Sequence, residues 1–273
     1  MPIPHDYHMH SNFSCDCKFS MAEMCRNAIA NGIPEIGFTE HYDLHPGEPY
    51  RDWFKLELWA AELERCRAEF DGRLIIRAGI ELGEPHIYRA EAQAMLTRYP
   101  FDYALGSLHW VGPETIFDPN YFRSRTAGEA FRLFFEELER MTSVSESVGG
   151  FDILSHFDVP VRAAFDVYGP QGYDPRRHED CIRPVLKNCI ERGITLDLNT
   201  KGLRSKCNVL TPGLDILRWY VEMGGERVTL GSDAHQPKFV GADCEVAMDT
   251  ARAAGLKYVV QFEKRKAKMV KII

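Results

Sequence analysis

The sequence has no apolar run of the roughly 18 residues that a membrane-spanning helix needs. It has no C-x-x-C pair, and its eight cysteines are scattered over 273 residues. They read as reduced thiols rather than a disulfide framework. Cys15-x-Cys17 is the tightest spacing, and small loop residues explain it more simply than a thiolate pair. Positive charge is not in excess: the formal charge is −7. A field of that sign does not recruit nucleic acid, so an anionic substrate would have to be attracted by something local. No linker, low-complexity tract or internal repeat breaks the chain, and one domain over residues 1–273 is expected. The first residues carry no apolar core of an export signal, because His5, Asp6 and His8 come almost at once. A cytoplasmic protein without a membrane partner is expected.

What is present is alternation. Strand-like apolar runs at residues 36–41, 74–81, 103–109, 151–156, 194–199 and 227–233 alternate with helix-like amphipathic segments. The opening stretch Asp6–Asp16 supplies a further strand, and Tyr258–Phe262 a last apolar run. Ser20-Met21-Ala22-Glu23 and Thr126-Ala127-Gly128-Glu129 are capping boxes, each followed by apolar residues at helical spacing. Thr211-Pro212 reads as a cap and first-turn proline opening a helix to about Met223. The alternation predicts a single-domain α/β protein with a parallel sheet closed as a TIM-like barrel. The basic tail Lys264–Lys268 reads as a solvated face or edge.

The polar residues fall in a pattern. His8 and His10 are two apart, so on a strand both face one side. Ten histidines in 273 residues give such a pair by composition in roughly one chain of three, so the pair alone identifies nothing. However, His41, Glu81, His109 and His156 each close a predicted strand, and Asp233 closes another with His235 just beyond. In a β/α barrel these C-terminal strand ends form one rim, where active sites are built. Imidazole and carboxylate donors gathered there suit a transition metal. His5, His45, His86 and His178 do not fit the pattern.

His8-x-His10, Thr39-Glu40-His41, Gly79-Ile80-Glu81, Ser107-Leu108-His109, Ser155-His156-Phe157-Asp158 and Gly231-Ser232-Asp233-Ala234-His235 together resemble the PHP (polymerase and histidinol phosphatase) superfamily. Asp16 and the segment Asn199–Arg204 are most similar to the monofunctional histidinol-phosphate phosphatases. The resemblance spans residues 6–235. It implies a distorted (β/α)7 barrel with three divalent ions, zinc, iron or manganese. His8, His10, Glu81 and Asp233 would hold one ion. Glu81 would bridge to a second, held also by His109 and His156. Asp16, His41 and His235 would hold the third. Arg162 and Arg204 match the family's phosphate-binding arginines. Lys201 and Cys207 depart from the family's usual residues, which makes the 200–212 loop the least secure transfer.

The implied reaction is hydrolysis of L-histidinol phosphate, a small phosphorylated metabolite, by attack of a metal-held hydroxide, as a step of histidine biosynthesis. No serine or cysteine has the surroundings of a covalent nucleophile. Arg162 and Arg204 would grip the phosphate, with Asp233 and His235 also counted in the catalytic set. Asp43 and Asp158 would orient histidines through their second ring nitrogens. The alternatives are a PHP phosphoesterase acting on another small phosphate ester or nucleotide, a nucleic-acid-processing module, and a non-catalytic metal-binding barrel.

Overall fold

In the computed structural model, which describes residues 3–145 and 150–272, seven parallel wall segments follow one another round a closed barrel. The first is residues 6–10. It forms only isolated bridges, yet it is held on both sides. Tyr7 N–H donates to Leu230 O at 2.8 Å and His10 N–H to Ala234 O at 3.0 Å, while Gly37 N–H donates to Asp6 O and Thr39 N–H to Met9 O, both at 2.9 Å. These bonds join the first and last wall segments and leave the ring without an edge.

The chain then runs α1 (Met21–Ala30), β1 (Glu35–Phe38), β2 (His41–Tyr42), α2 (Leu56–Glu69), β3 (Ile75–Ala78), β4 (Glu81–Gly83), α3 (Arg89–Arg98) and β5 (Leu105–Ser107). A small hairpin, β6 (Trp110–Val111) and β7 (Glu114–Thr115), leads to α4 (Asn120–Arg123) and α5 (Ala127–Ser143). Next come β8 (Ile153–Leu154), α6 (Val161–Tyr168), α7 (Glu179–Arg192), β9 (Thr195–Asn199), α8 (Leu214–Glu222), β10 (Val228–Gly231) and α9 (Cys244–Ala254). β1 with β2, and β3 with β4, are single wall segments interrupted near the rim. β1 pairs with β3, and the rest of the wall runs β2-β4-β5-β8-β9-β10, all parallel.

Local sequence explains the elements. Both capping boxes form, with Ser20 and Thr126 each accepting from the backbone N–H three residues on. The apolar stripe of α5, Phe131, Phe134, Phe135, Leu138 and Met141, is buried against the wall. Several wall strands, β1, β9 and β10 among them, are buried on both faces, as in parallel sheets covered by helices. The main core lies between wall and helices. A second cluster, Tyr7, Tyr103, Leu105, Ile153, Val260 and Phe262, is separate from it. Two of its members come from β11 (Tyr258–Glu263), which pairs antiparallel with β12 (Lys266–Lys271). The apolar run Tyr258–Phe262 therefore lies outside the parallel wall, and the basic tail is an exposed strand.

One expected helix starts later than its cap signal implies. The helix expected from Thr211-Pro212 begins at Leu214, with Gly213 as its cap. Thr211 is drawn away because its backbone exchanges two hydrogen bonds with Asn199, at 2.8 and 3.2 Å. The short helix α6 was not anticipated; its eight residues are too few for a clear periodic signal.

Candidate metal centre

The wall ends deliver the polar side chains to one rim. His8 and His10 lie on the first segment, His41 opens β2, and Glu81 opens β4. His109 follows β5, His156 follows β8, and Asp233 and His235 follow β10. Asp6, fully buried, fixes the two ends of the chain that carry them. Its carboxylate accepts from Ser232 N–H at 2.9 Å and Gly241 N–H at 2.8 Å. His156 and Asp233 have positive φ, 24° and 52°. Such backbone is costly for non-glycine residues and gathers at functional sites.

Glu81 stands at the centre, with no exposed surface. Its Oε1 lies 3.1 Å from His156 Nε2 and 3.4 Å from His109 Nε2. Its Oε2 lies 2.9 Å from His41 Nδ1, 3.5 Å from His8 Nε2 and 3.6 Å from His10 Nε2. One carboxylate thus faces two groups of imidazoles with different oxygens. His109 and His156 are 3.4 Å apart through Nε2. Asp233 Oδ1 lies 3.6 Å from His10 Nε2. Asp16, on the loop after the first segment, places Oδ2 2.8 Å from His235 Nε2 and Oδ1 3.6 Å from His41 Nε2.

These spacings fit a metal. Donors held to one ion by ordinary zinc bonds lie about 3.4 Å from each other in a tetrahedron and about 3.0 Å in an octahedron. His8–His10–Asp233, His8–Glu81–His156, His41–Glu81–His109 and His10–His41–His235 each converge within 4.8 Å. Buried polar atoms normally have a partner. Yet Nε2 of His8, His10 and His235, Nδ1 of His41 and Oε2 of Glu81 meet only the other charged groups of the cup, without a hydrogen bond of good geometry. Five such atoms turned toward one another fit a set of metal ligands, and the structure brings all nine expected residues together.

The charges are strongly coupled. Burial would raise the Glu81 carboxyl, but the His41 and His8 rings and hydrogen bonds from His109 and His156 hold it well below its usual range. Burial would likewise lower the imidazoles. For His8 the carboxylates of Glu81, Asp197 and Asp233 win, and for His41 those of Glu81 and Asp16, so both rings are held well above normal. His109 is raised to about 10 against burial by Asp43 and Glu81. His10 is pushed down by burial and by neighbouring His235 and His41, and His156 to about 4, chiefly by burial.

The second ring nitrogens are also held. His8 Nδ1 meets Asp197 Oδ2 at 2.8 Å, and His109 Nδ1 meets Asp43 Oδ1 at 2.9 Å. His10 Nδ1 meets Ser14 Oγ at 3.0 Å, and that hydroxyl donates to Glu40 at 2.6 Å. Asp43 therefore serves His109, across the sheet, more closely than His41, whose Nδ1 is 3.6 Å away. Asp158 does not orient His156: its carboxyl lies with Tyr173 in a separate apolar cavity. Asp197 was not anticipated. Replacing it by alanine is expected to lower metal affinity about 10–100-fold while the fold survives, the usual cost of losing such a partner. Metal titration with circular dichroism checks this.

Beside the rings lies a cleft of about 420 Å³. Asp16, His41, Asp43, Glu81, His109, His156 and Asp233 line its inner wall, with Glu48, Tyr50, Trp110 and Phe117 further out. Arg162 reaches in from α6, its NH1 3.8 Å from Asp233 Oδ2 and its guanidinium over the Phe117 ring. Arg204 does not line the cleft, contrary to expectation. Its NH1 donates to Thr200 Oγ1 at 3.0 Å, Ala242 O at 3.1 Å and Asp243 Oδ2 at 3.0 Å, and its NH2 to Ser232 O. With its donors so engaged, it braces the 200–204 turn against the β10–α9 connection.

The PHP domain profile matches residues 6–201. The chain belongs to the PHP family. That match ends before Asp233 and His235, which the geometry nevertheless ties to the same cup. The chain is 29% identical over 262 residues to a probable histidinol-phosphatase of Clostridium acetobutylicum, covering 95% of this chain and 97% of that one. It is 26% identical over 259 residues to the histidinol-phosphatase of Lactococcus lactis, covering 94% and 93%. Its fold is similar to the crystal structure of the L. lactis histidinol phosphate phosphatase in complex with zinc, L-histidinol and phosphate. The TM-score there is 0.85 at 24% identity, covering 97% of this chain and 98% of that one.

This PHP chain keeps its remaining histidines out of the cup. His5 pairs with Thr229 at 2.8 Å, His86 with Glu137 at 2.6 Å, His45 stacks on Trp110, and His178 packs on Phe131 and Tyr173. Cys17 Sγ–H meets His235 O at 3.2 Å, while Cys15 lines the cleft. All eight thiols are free.

Proposed function

We propose that the protein hydrolyses L-histidinol phosphate to L-histidinol and phosphate, as a step of histidine biosynthesis in the cytoplasm, with residues 1–273 acting as one PHP phosphoesterase domain. The observation that carries the reading is Glu81, whose two oxygens face separate imidazole groups beneath a cleft that Arg162 enters. Full-length similarity to histidinol-phosphatases supports the substrate. The free thiols suit the location. Among the described residues no helix is long and apolar enough to cross a membrane.

His8, His10, Glu81 and Asp233 would hold one divalent ion, Glu81 with His109 and His156 a second, and Asp16, His41 and His235 a third. When bound, such ions, zinc, iron or manganese by donor type, neutralise phosphoryl oxygens and make water acidic enough to attack at neutral pH. The chain itself supplies position. Arg162 grips a phosphate oxygen with a planar fork, and Phe117 beneath it fixes the plane. Asp197 and Asp43 hold the Nδ1 side of His8 and His109, so that Nε2 of each is the nitrogen left to face an ion beside Glu81. The cleft, of about 420 Å³, has room for a small monoester.

Phosphate release is measured from histidinol phosphate, a panel of small phosphomonoesters and a single-stranded oligonucleotide. Histidinol phosphate is expected to lead by at least about tenfold in kcat/KM, a margin of about 1.4 kcal/mol. An equal rate across the panel would remove the substrate but leave the phosphomonoesterase. Cleavage of the oligonucleotide alone would remove both.

A further inference from the structure

We propose that Lys201 is a phosphate-binding residue of this site, opposite Arg162, and that Asp233 parks its ammonium when no phosphate is bound. The inference rests on the phosphomonoesterase reading above.

Among the described residues, Arg162 and Lys201 are the only arginine and lysine that line the cleft. They come from consecutive wall segments, Arg162 after β8 and Lys201 after β9. Both point at Asp233, on the next segment: Lys201 Nζ is 2.9 Å from Oδ1, and Arg162 NH1 is 3.8 Å from Oδ2. Asp233 is thus flanked by one cation from each side. Its Oδ1 also faces His10 Nε2 at 3.6 Å and His235 Nδ1 at 3.4 Å. An ion held by that carboxylate weakens its pull on the ammonium. Lys201 then keeps its place at the cleft wall and offers its donors to another anion.

The segment around Lys201 is rigid where it needs to be. Lys201 N–H donates to Asn199 Oδ1 at 3.2 Å, and Leu203 N–H to Thr200 O at 3.0 Å. Arg204 pins the same turn to Ala242 and Asp243. Gly202 packs so closely on Val209 O that a side chain there would strike it, and Val209 N–H donates to Gly202 O at 3.3 Å, which ties the turn to the following loop. The Lys201 side chain itself is about one-third exposed, at 35%. A fixed backbone with a partly free ammonium at its tip suits a group that changes partners. The chain carries a formal charge of −7, so the field of the whole protein does not draw in a dianionic phosphate and cations local to the cleft have to. A guanidinium on one side and an ammonium on the other give its terminal oxygens a donor from each wall.

The test uses Lys201→Met, which keeps the length and removes the charge, and Lys201→Arg. Inorganic phosphate is titrated calorimetrically into the metal-loaded protein, and metal per chain is measured alongside. Lys201→Met is expected to keep its metals and to bind phosphate about 10–100-fold more weakly, the range for one hydrogen bond to a charged group. KM for the monoester should rise in step, and Lys201→Arg should recover most of the loss. Unchanged phosphate affinity with full metal content would overturn the proposal. So would loss of metal in Lys201→Met, because Lys201 would then serve Asp233 alone. Failure of the wild-type protein to bind phosphate or to release it from any monoester would strike the phosphomonoesterase reading instead.

Discussion

Glu81→Gln is expected to empty two of the three metal positions and lower phosphate release by at least about 10³-fold, since one donor aimed at developing charge is already worth about 10²–10³. The reason is its double contact: Oε1 belongs with His109 and His156, and Oε2 with His8 and His10. An amide keeps the shape and can still accept from Ser107 Oγ, now 2.7 Å from Oε1, so the barrel should fold. It cannot bridge two cations. Its loss also leaves the buried His8 and His41 rings without the carboxylate that keeps them charged. Breaking one side of a buried charge pair costs about 3–5 kcal/mol, so the metal-free variant should also melt earlier than the metal-free wild type. His235→Ala, whose Nε2 faces Asp16 and would serve only the ion of that group, should lose about one metal per chain. Elemental analysis of the two variants separates the cases. Full metal content in Glu81→Gln would break the bridging argument.

The barrel was legible because the wall strands are buried on both faces and end in residues of one chemistry. Strand ends such as Gly79-Ile80-Glu81 and Gly231-Ser232-Asp233 mark a rim as soon as the parallel alternation is recognised. The orienting carboxylates were harder to find. Asp197 lies two residues before Asn199 on the same face of β9, so period-two alternation points it inward, but nothing in the sequence says which ring it will meet. Asp43 stands two residues after His41 in sequence, yet the parallel sheet sets it nearer His109, 66 residues away. Arg204 shows the opposite limit. A motif fixes its position but not its rotamer, and nearby carbonyls at Thr200, Ser232 and Ala242 took its donors. Side chains that close a strand are set by the ladder; side chains on loops are set by whichever partners the fold brings near.

Metal loading should expel protons, and affinity should therefore climb steeply with pH. A ligating imidazole must present a lone pair. In the metal-free cup His8 and His41 are held well above 6.5, and His109 at about 10, because Glu81, Asp16, Asp43 and Asp197 overcome burial. Near neutral pH an ion must displace the protons these three rings hold. About two to three protons released per loaded chain is expected, and each makes apparent affinity rise tenfold per pH unit. Titration calorimetry in two buffers of different ionisation heat counts them directly. The stability of the metal-free protein has the opposite sign. His109, raised in the folded state, contributes fully below about 6.5 and loses that contribution as pH rises through about 10. Glu81, Asp16 and Asp233 are depressed, so they contribute above the ordinary carboxylate range and fail only as pH falls through their lowered values. Between about pH 6 and about pH 9 the carboxylate share is constant, the imidazolium share falls and metal affinity rises. The gap in melting temperature between loaded and chelated protein should widen across that window. A constant gap with no proton release would mean that the rings enter the site neutral, and that the carboxylates around them do not hold the cup together before metal arrives.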